Sequence, residues 1–523
     1  MKHYKLYITL FFCFLAWNMA KADLYYWVAF TNKDNTPYSL SQPDEFLSAR
    51  AISRRSQQNI AIDSTDLPVN KTYIDSVLSF NCKYIHQSKW LNGITIQTAD
   101  STNIDKIRQC SFVKSVELTQ DPAHLIYSAP KAKKYGQTLE EVEIDPGFAK
   151  EQNKQINLIE LHETGFRGKD KLIAIFDTGF PNAMDYFSQL DIVNAYNISY
   201  PDLSPYDNSL DQHGLSCLSI MGLNIDGTFV GTAPEASFVL FVTEITETES
   251  LVELDHLVRG LEMADSMGVD VANISLGYSE MDDSTTSFIY ADMNGKTARC
   301  SQAAQIASEK GMIVCAAAGN EGNNEWHYIT APADAENILT VGSVNQMGYH
   351  SHFSAYGPTS DNRIKPTVCA MGSSTVFFRN NQLYRGNGTS FSCPIIAGAT
   401  ASLWSALPDL TNTEIMQRII NSANQCNRPD NILGYGIPDY WKAYNGESSL
   451  ENLRAEGIEI QYFNNEIIIK SDIPCKITLY NICGQVVMNR HSQKMATIDN
   501  LIRGIYIIEI KTDNNTLRQK ILL

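Results

Sequence analysis

The sequence predicts an α/β core, a parallel sheet flanked by helices, preceded by a small α+β region and followed by a small β-sandwich. Three observations predict it. Apolar runs at residues 172–176 and 313–318, with a further strand read at 269–274, alternate with longer apolar-periodic stretches, as buried parallel strands alternate with the helices that cover them. From Leu453 onward the pattern changes to short strands separated by turns. A chain of 523 residues is also too long for one core and implies two to four domains.

Taken in order, residues 24–30 and 93–97 read as strands, and 44–58 and 101–110 as helices. Residues 172–176 form a buried strand ending in Asp177, and Asp177-Thr178-Gly179 turns the chain where open α/β sheets place their ligands. His213-Gly214 opens a stretch with Leu215, Leu218, Ile220 and Met221 that suits a helix lying on the sheet. Residues 269–274 lead into Ser275-Leu276-Gly277. The strand at 313–318 leads into Gly319, which lets the backbone turn so that Asn320 points inward. Gly388-Thr389 precede a helix from about Ser390 to Ala406, with Pro394 expected in its first turn. Ser390 then sits at a helix N-terminus, where free N–H groups and the dipole favour negative charge. Thr411-Asn412-Thr413-Glu414 is a capping box for a helix to about Ala423. Residues 458–463, 466–470, 476–480, 505–510 and 519–522 read as strands of the sandwich.

Four segments carry complementary chemistry. Ile173-Ala174-Ile175-Phe176-Asp177-Thr178-Gly179 supplies a carboxylate and Asp211-Gln212-His213-Gly214 an imidazole. Ala317-Ala318-Gly319-Asn320 supplies a side-chain amide, and Gly388-Thr389-Ser390-Phe391-Ser392-Cys393-Pro394 a hydroxyl. A serine nucleophile needs a base to take its proton, a carboxylate to hold the base and donors for the oxyanion. Each motif alone is unspecific: an Asp-Thr-Gly is often a turn, and a Ser before a helix is often a cap. The constellation on predicted strand ends and helix starts is far more specific. Its order, Asp then His then Ser, is that of the subtilisins, and the chain resembles the subtilisin-like serine proteases.

The resemblance implies roles for the matching positions. Asp177 would orient and support His213, and His213 would act as general base towards Ser390 and then as general acid. Ser390 would form the acyl-enzyme, and the Asn320 side chain with the Ser390 backbone N–H would make the oxyanion hole. Ser275, Leu276 and Gly277, with Ala318 and Gly319, match the family's substrate-binding backbone, where small residues let an extended peptide lie down as an added strand. Leu215 stands where the family usually has Thr, and Thr367 and Met371 replace its usual Asp and Pro. No cofactor is required for this chemistry. Structural calcium is common in the family, but no ligand cluster for it stands out in this sequence.

The N-terminus reads as an export signal: Lys2 and Lys5, an apolar run over 6–19, and Ala20-Lys21-Ala22 before Asp23. That run is too short for a membrane anchor. Residues 23–147 resemble the region found ahead of subtilase domains in the Bacteroidetes group, through Phe46-Leu47-Ser48-Ala49-Arg50-Ala51-Ile52-Ser53-Arg54-Arg55 and Ser88-Lys89-Trp90-Leu91-Asn92. By that resemblance they form a pro-segment, an intramolecular inhibitor; the alternative is a permanently attached domain. Arg54-Arg55 reads as a solvated helix face, and 128–148 as linker and cleavage zone. The peptidase domain spans 148–445. Residues 450–523, through Ile477-Thr478-Leu479-Tyr480-Asn481-Ile482-Cys483-Gly484-Gln485-Val486 and Leu501-Ile502-Arg503-Gly504-Ile505-Tyr506, resemble the C-terminal sorting domain of type IX secretion cargo. That implies contact with outer-membrane secretion machinery and a secreted or surface location; the alternative is a generic accessory sandwich.

A net charge of −17 argues against a nucleic-acid role and suits an exported protein, expected to be a monomer. An exported setting permits disulfides, with Cys82–Cys110 and Cys475–Cys483 as candidate pairs whose connectivity sequence cannot fix. Cys217 and Cys393 lie one helical turn from His213 and Ser390 and read as small buried thiols. Two functions are consistent with these residues: a secreted serine endopeptidase acting on polypeptides, or a catalytically silent surface-binding protein of the same fold. The complete set of Asp177, His213, Asn320 and Ser390 favours the first.

Overall fold

A computed structural model describes residues 23–125, 140–141, 147–225, 229–379 and 382–446, and in the tail 458–463, 466–471, 474–481, 484–492, 495–498, 505–511 and 516–522. The expected export signal and most of the linker zone lie outside the described residues.

The N-terminal region is a four-stranded antiparallel sheet covered by helices. Its strands are β1 (Leu24–Phe30), β2 (Lys83–Ser88), β3 (Gly93–Thr98) and β4 (Val113–Gln120), in the order β2-β3-β1-β4. Helices α1 (Ala49–Gln57), α2 (Lys71–Leu78) and α3 (Thr102–Arg108) accompany it. Val28, Ile94 and Ile96 of the sheet meet Val77, Ile104 and Ile107 in one apolar cluster. The helix expected over 44–58 is a short 3-10 turn, Pro43–Glu45, followed by α1, which Ser48 caps through the Ala51 N–H.

The core is a seven-stranded sheet in which every pairing is parallel. Its strands are β5 (Leu172–Asp177), β6 (Asp191–Asn197), β7 (Ser237–Val242), β8 (Val271–Ile274), β9 (Ile313–Ala317), β10 (Leu339–Val344) and β11 (Val368–Met371). The spatial order is β11-β10-β9-β8-β5-β7-β6. On one face Ile173 and Ile175 pack with Leu218 of α4 (His213–Gly222). On the other Leu172, Ala174 and Phe176 pack with Leu257 and Leu261 of α5 (Leu251–Met267) and Ala303 of α6 (Arg299–Glu309). Helix α7 (Thr389–Ala406) joins the first face, and α8 (Asn412–Ser422) follows with its capping box made. Strand order reverses between β5 and β8, so the crevice beyond their carboxyl ends is the topological switch point.

The N-terminal region docks on α5, and here the sequence expectation fails. Arg54 and Arg55 are 4% and 1% exposed, not solvated. Asp265 of α5 takes Arg54 at 2.6 Å, Arg55 at 2.8 Å and Lys89 at 3.2 Å. Arg55 also pairs with Asp66 at 2.8 Å, and Lys310 reaches the same carboxylate at 3.0 Å. Buried charges of this kind persist only when paired and hydrogen-bonded, and the partner here lies about two hundred residues away, which local pattern cannot register. Glu262 accepts the N–H groups of Lys89 and Trp90 at 2.9 and 3.0 Å and the Ser88 hydroxyl.

The tail forms two antiparallel sheets. Strands β12 (Ile458–Phe463), β13 (Glu466–Ser471) and β16 (Met495–Ile498) make one; β15 (Val486–Ser492), β14 (Cys475–Asn481), β17 (Ile505–Lys511) and β18 (Thr516–Leu522) make the other. Ile469, Ile477, Leu479, Ile508 and Ile510 form a core of tail residues alone. Cys82, Cys110 and Cys475 carry free thiols, so the first candidate disulfide is not formed; Cys483 lies outside the described residues.

Candidate active site

Asp177 ends β5 and His213 starts α4, and two local features bring them together. Asp211 Oδ1 accepts the His213 N–H at 2.8 Å and the Thr178 hydroxyl at 3.1 Å, tying the start of the helix to the turn after the strand. Gly214 permits the approach: a Cβ there would stand 2.6 Å from the Gly179 carbonyl oxygen and 2.9 Å from Asp177 Cβ. His213 Nδ1 lies 2.8 Å from Asp177 Oδ1, and His213 Nε2 lies 2.9 Å from Ser390 Oγ. All three side chains are buried. The Phe391 ring backs the imidazole at 5.5 Å between centroids.

Ser390 is the second residue of α7, so its N–H lies outside the helix's own hydrogen bonds. Pro394 sits in the second turn of α7 rather than in its first, as expected from sequence. With no N–H on Pro394, the Ser390 carbonyl loses its helical donor. Ser275 Oγ supplies one at 2.9 Å, and the Cys217 thiol another at 3.5 Å. Asn273 Nδ2 donates to Ser275 Oγ at 3.0 Å and holds it in place.

Asn320 follows β9 and Gly319, whose φ of +109° makes the expected turn. Its Oδ1 accepts the Thr389 N–H at 2.8 Å and the Thr389 hydroxyl at 3.1 Å. A backbone N–H can only donate, so the amide orientation is determined and Nδ2 is its outward donor. Among the other predicted residues, Leu276 and Gly277 make no backbone hydrogen bond among the described residues. Ala318 differs: its N–H donates to Val341 O at 3.0 Å and its carbonyl accepts from Thr330 at 3.2 Å. Gly319 donates to Thr389 Oγ1 at 3.2 Å and accepts from Ala355 at 2.9 Å. The two segments thus differ in how much backbone they leave for a ligand.

Burial works against a charged His213, but the Asp177 carboxylate, with the Cys217 sulfur, outweighs it and holds the ring's pKa well above the ordinary 6.5. Burial pushes the Cys217 thiol up to about 11, so it is neutral near pH 7. Cys217 and Cys393 are buried thiols, as read from the sequence.

Residues 168–436, a little over half of the chain, match the subtilase family, Peptidase S8. The chain belongs to that family. Residues 25–135 of this subtilase match the Peptidase S8 propeptide domain of Bacteroidota, and 461–523 match the secretion system C-terminal sorting domain. The latter marks it as a secreted or cell-surface protein. It is 28% identical over 272 residues to subtilisin NAT of Bacillus subtilis subsp. natto, covering 51% of this chain and 64% of that protein. It is 28% identical over 289 residues to a thermostable alkaline protease of Halalkalibacterium halodurans, covering 54% and 70%. The crystal structure of MycP1 from Mycobacterium smegmatis aligns with a TM-score of 0.45 at 23% identity, over 59% of this chain and 90% of that one.

Thr389, Asp211 and Asn273 escaped the sequence reading. Thr389 was visible within Gly-Thr-Ser, but its bond to an amide 69 residues away was not. Ser275 was read as substrate backbone; its side chain donates to the Ser390 carbonyl.

Proposed function

We propose that this subtilase is an exported serine endopeptidase, with a peptidase domain over 148–445, a pro-segment over 23–147 that restrains it, and a sorting tail over 450–523. The observation that carries the reading is the chain of contacts from Ser390 Oγ to His213 Nε2 and from His213 Nδ1 to Asp177, at 2.9 and 2.8 Å. His213 Nε2 takes the Ser390 proton as Oγ attacks the scissile carbonyl. Asp177 stabilises the imidazolium that forms and holds the tautomer. In this reading the developing oxyanion accepts from Asn320 Nδ2, whose orientation follows from the two Thr389 contacts, and from the Ser390 N–H. The imidazolium then protonates the leaving amine, and water, activated by the same base, releases the acyl group. Leu276 and Gly277 are the segment along which an extended polypeptide would pair. The relatives' names, subtilisin and alkaline protease, agree with a polypeptide substrate.

The test is intact mass after incubation with a fluorophosphonate probe, with Ser390→Ala as control. One adduct on the wild type alone, on a form shortened to near residues 128–148, is the expected result. A folded, shortened form that takes no adduct overturns the reading and favours a silent binding protein of the same fold.

A further inference from the structure

We propose that the cleft beside Ser390 takes a lysine or arginine side chain at the residue whose carbonyl is attacked, and that its first such substrate is this chain's own Lys134–Tyr135 bond. The proposal rests on the reading of the chain as a serine endopeptidase and names its substrate class.

Strands β8 and β9 part at their carboxyl ends, and residues 330–331 run between them. The Thr330 N–H donates to the Ala318 carbonyl at 3.2 Å, and Tyr278 and Ala331 exchange backbone bonds at 2.8 and 3.1 Å. Glycine on either side leaves space around the Thr330 hydroxyl: a Cβ on Gly319 would stand 3.0 Å from Thr330 Oγ1, and one on Gly277 would overlap it. Thr330 is 2% exposed, and Oγ1 has no hydrogen-bond partner among the described residues. A buried hydroxyl left so is costly, and the polar tip of a ligand beside it removes the cost.

Each wall of this slot also carries a carboxylate. Glu321 follows Asn320, and Glu280 lies two residues after Tyr278. They are near enough to repel: burial, and then Glu280, hold the Glu321 carboxyl above its ordinary range, against the Asn324 amide that donates to it. Among the described residues neither makes an ion pair. Glu244, fully buried, stands beside the same segment and accepts the Tyr278 hydroxyl. A lysine or arginine side chain answers both features, with donors for the hydroxyl, charge for the carboxylates and an aliphatic stem to pass the glycines. An apolar side chain would leave these polar groups unpaired, and an acidic one would add a further negative charge.

The sequence supplies such side chains within reach. Lys131, Lys133 and Lys134 fall in the linker zone, outside the described residues. The chain heads there from His124, which pairs with Asp283 at 2.9 Å. Ser275, whose hydroxyl meets the Ser390 carbonyl, lies eight residues before Asp283, a span of at most about 28 Å. Lys134 lies ten residues after His124, with a reach of about 35 Å, enough to bring it to Ser390. The propeptide match ends at residue 135, one position beyond Lys134. Ser390 Oγ bonds to the Lys134 carbonyl carbon as His213 takes its proton. The bond to the Tyr135 nitrogen then breaks, and that nitrogen leaves with the proton. Water adds to the acyl carbon, freeing Lys134 as a carboxylate and returning a proton to Ser390.

The test measures kcat/KM of the matured wild type on three fluorogenic peptide amides, Lys-Ala-Lys-X, with X as Lys, Leu or Glu. Lysine is expected to be preferred at least tenfold over leucine, with glutamate the poorest. Glu280→Gln and Glu321→Gln together should cut the lysine-to-leucine ratio at least tenfold. Glu280→Gln alone, at an exposed position, should cut it at least threefold and serves if the double variant fails to fold. Intact mass of the incubated precursor is expected to show a new N-terminus at Tyr135, and Lys134→Glu should lose that product. Leucine turned over as fast as lysine, a ratio unmoved by the substitutions, or an unchanged cut in Lys134→Glu overturns the proposal and leaves the protease reading standing. A folded protein that hydrolyses none of the three peptides and takes no fluorophosphonate adduct overturns both.

Discussion

At the scale of single residues the site depends on orientation. Thr389 engages the Asn320 oxygen twice and leaves the amide's donor end outward, the orientation that the proposed oxyanion role requires. Asn320→Ala is therefore expected to lower kcat with little change in KM in steady-state peptide hydrolysis. The loss should be on the order of a hundred- to a thousandfold, a magnitude taken from subtilisin's own oxyanion asparagine rather than derived from this chain. The pH profile should follow from His213. Burial alone would favour the neutral ring, yet the Asp177 carboxylate raises its pKa well above 6.5, so the neutral base appears only on the alkaline side of that value. The acid limb of kcat/KM against pH is expected to have its midpoint above 6.5 and to move down in Asp177→Asn; a wild-type midpoint at or below 6.5 would contradict the assignment. Asp177, His213, Asn320 and Ser390 were legible in the sequence because each must be one chemical type. Thr389 and Ser275 were legible only as motif letters, since their work is done through bonds to segments 69 and 115 residues away.

At the scale of elements, strands β5 and β9 announced themselves as apolar runs. The edge strands β2 and β4 did not, because only part of each is buried and their residues are largely polar. The docking of β2 on α5 carries its own pH dependence. The rings of His86 and His256 face each other edge to face at 5.4 Å, both buried, with Arg259 and Arg299 nearby. Burial holds His256 down at about 4, and burial followed by the facing His256 holds His86 well below 6.5. The docked form therefore binds fewer protons than the separated form between pH 6.5 and 4. Docking is strongest above 6.5 and weakens as pH falls through that window. Hydrogen exchange at residues 83–98 in the full Ser390→Ala chain is expected to quicken from pH 7 to pH 4.5 after correction for intrinsic rates. His86→Leu should flatten that trend, and an unchanged trend would sink the assignment.

At the scale of the whole molecule, the tail stands on its own core, and among the described residues no hydrogen bond or ion pair joins it to the rest. A chain ending at residue 446 is thus expected to keep the thermal midpoint of the full Ser390→Ala protein within about 2 °C. It should also fail to leave the producing cell, read by fractionation; a larger fall in midpoint would show that the tail supports the fold. The sequence by itself determined the residue types that meet at the site, the α/β class and the run of regions along the chain, because side-chain type, hydrophobic period and turn chemistry are local properties. Only the tertiary structure decided that Arg54 and Arg55 are buried on Asp265, that Ser275 and Cys217 take up the carbonyl orphaned by Pro394, and that Cys217 stands beside Asp177 and His213. Each of these is a pairing across the fold, where the energy of a buried polar group depends on a partner that no sequence window contains.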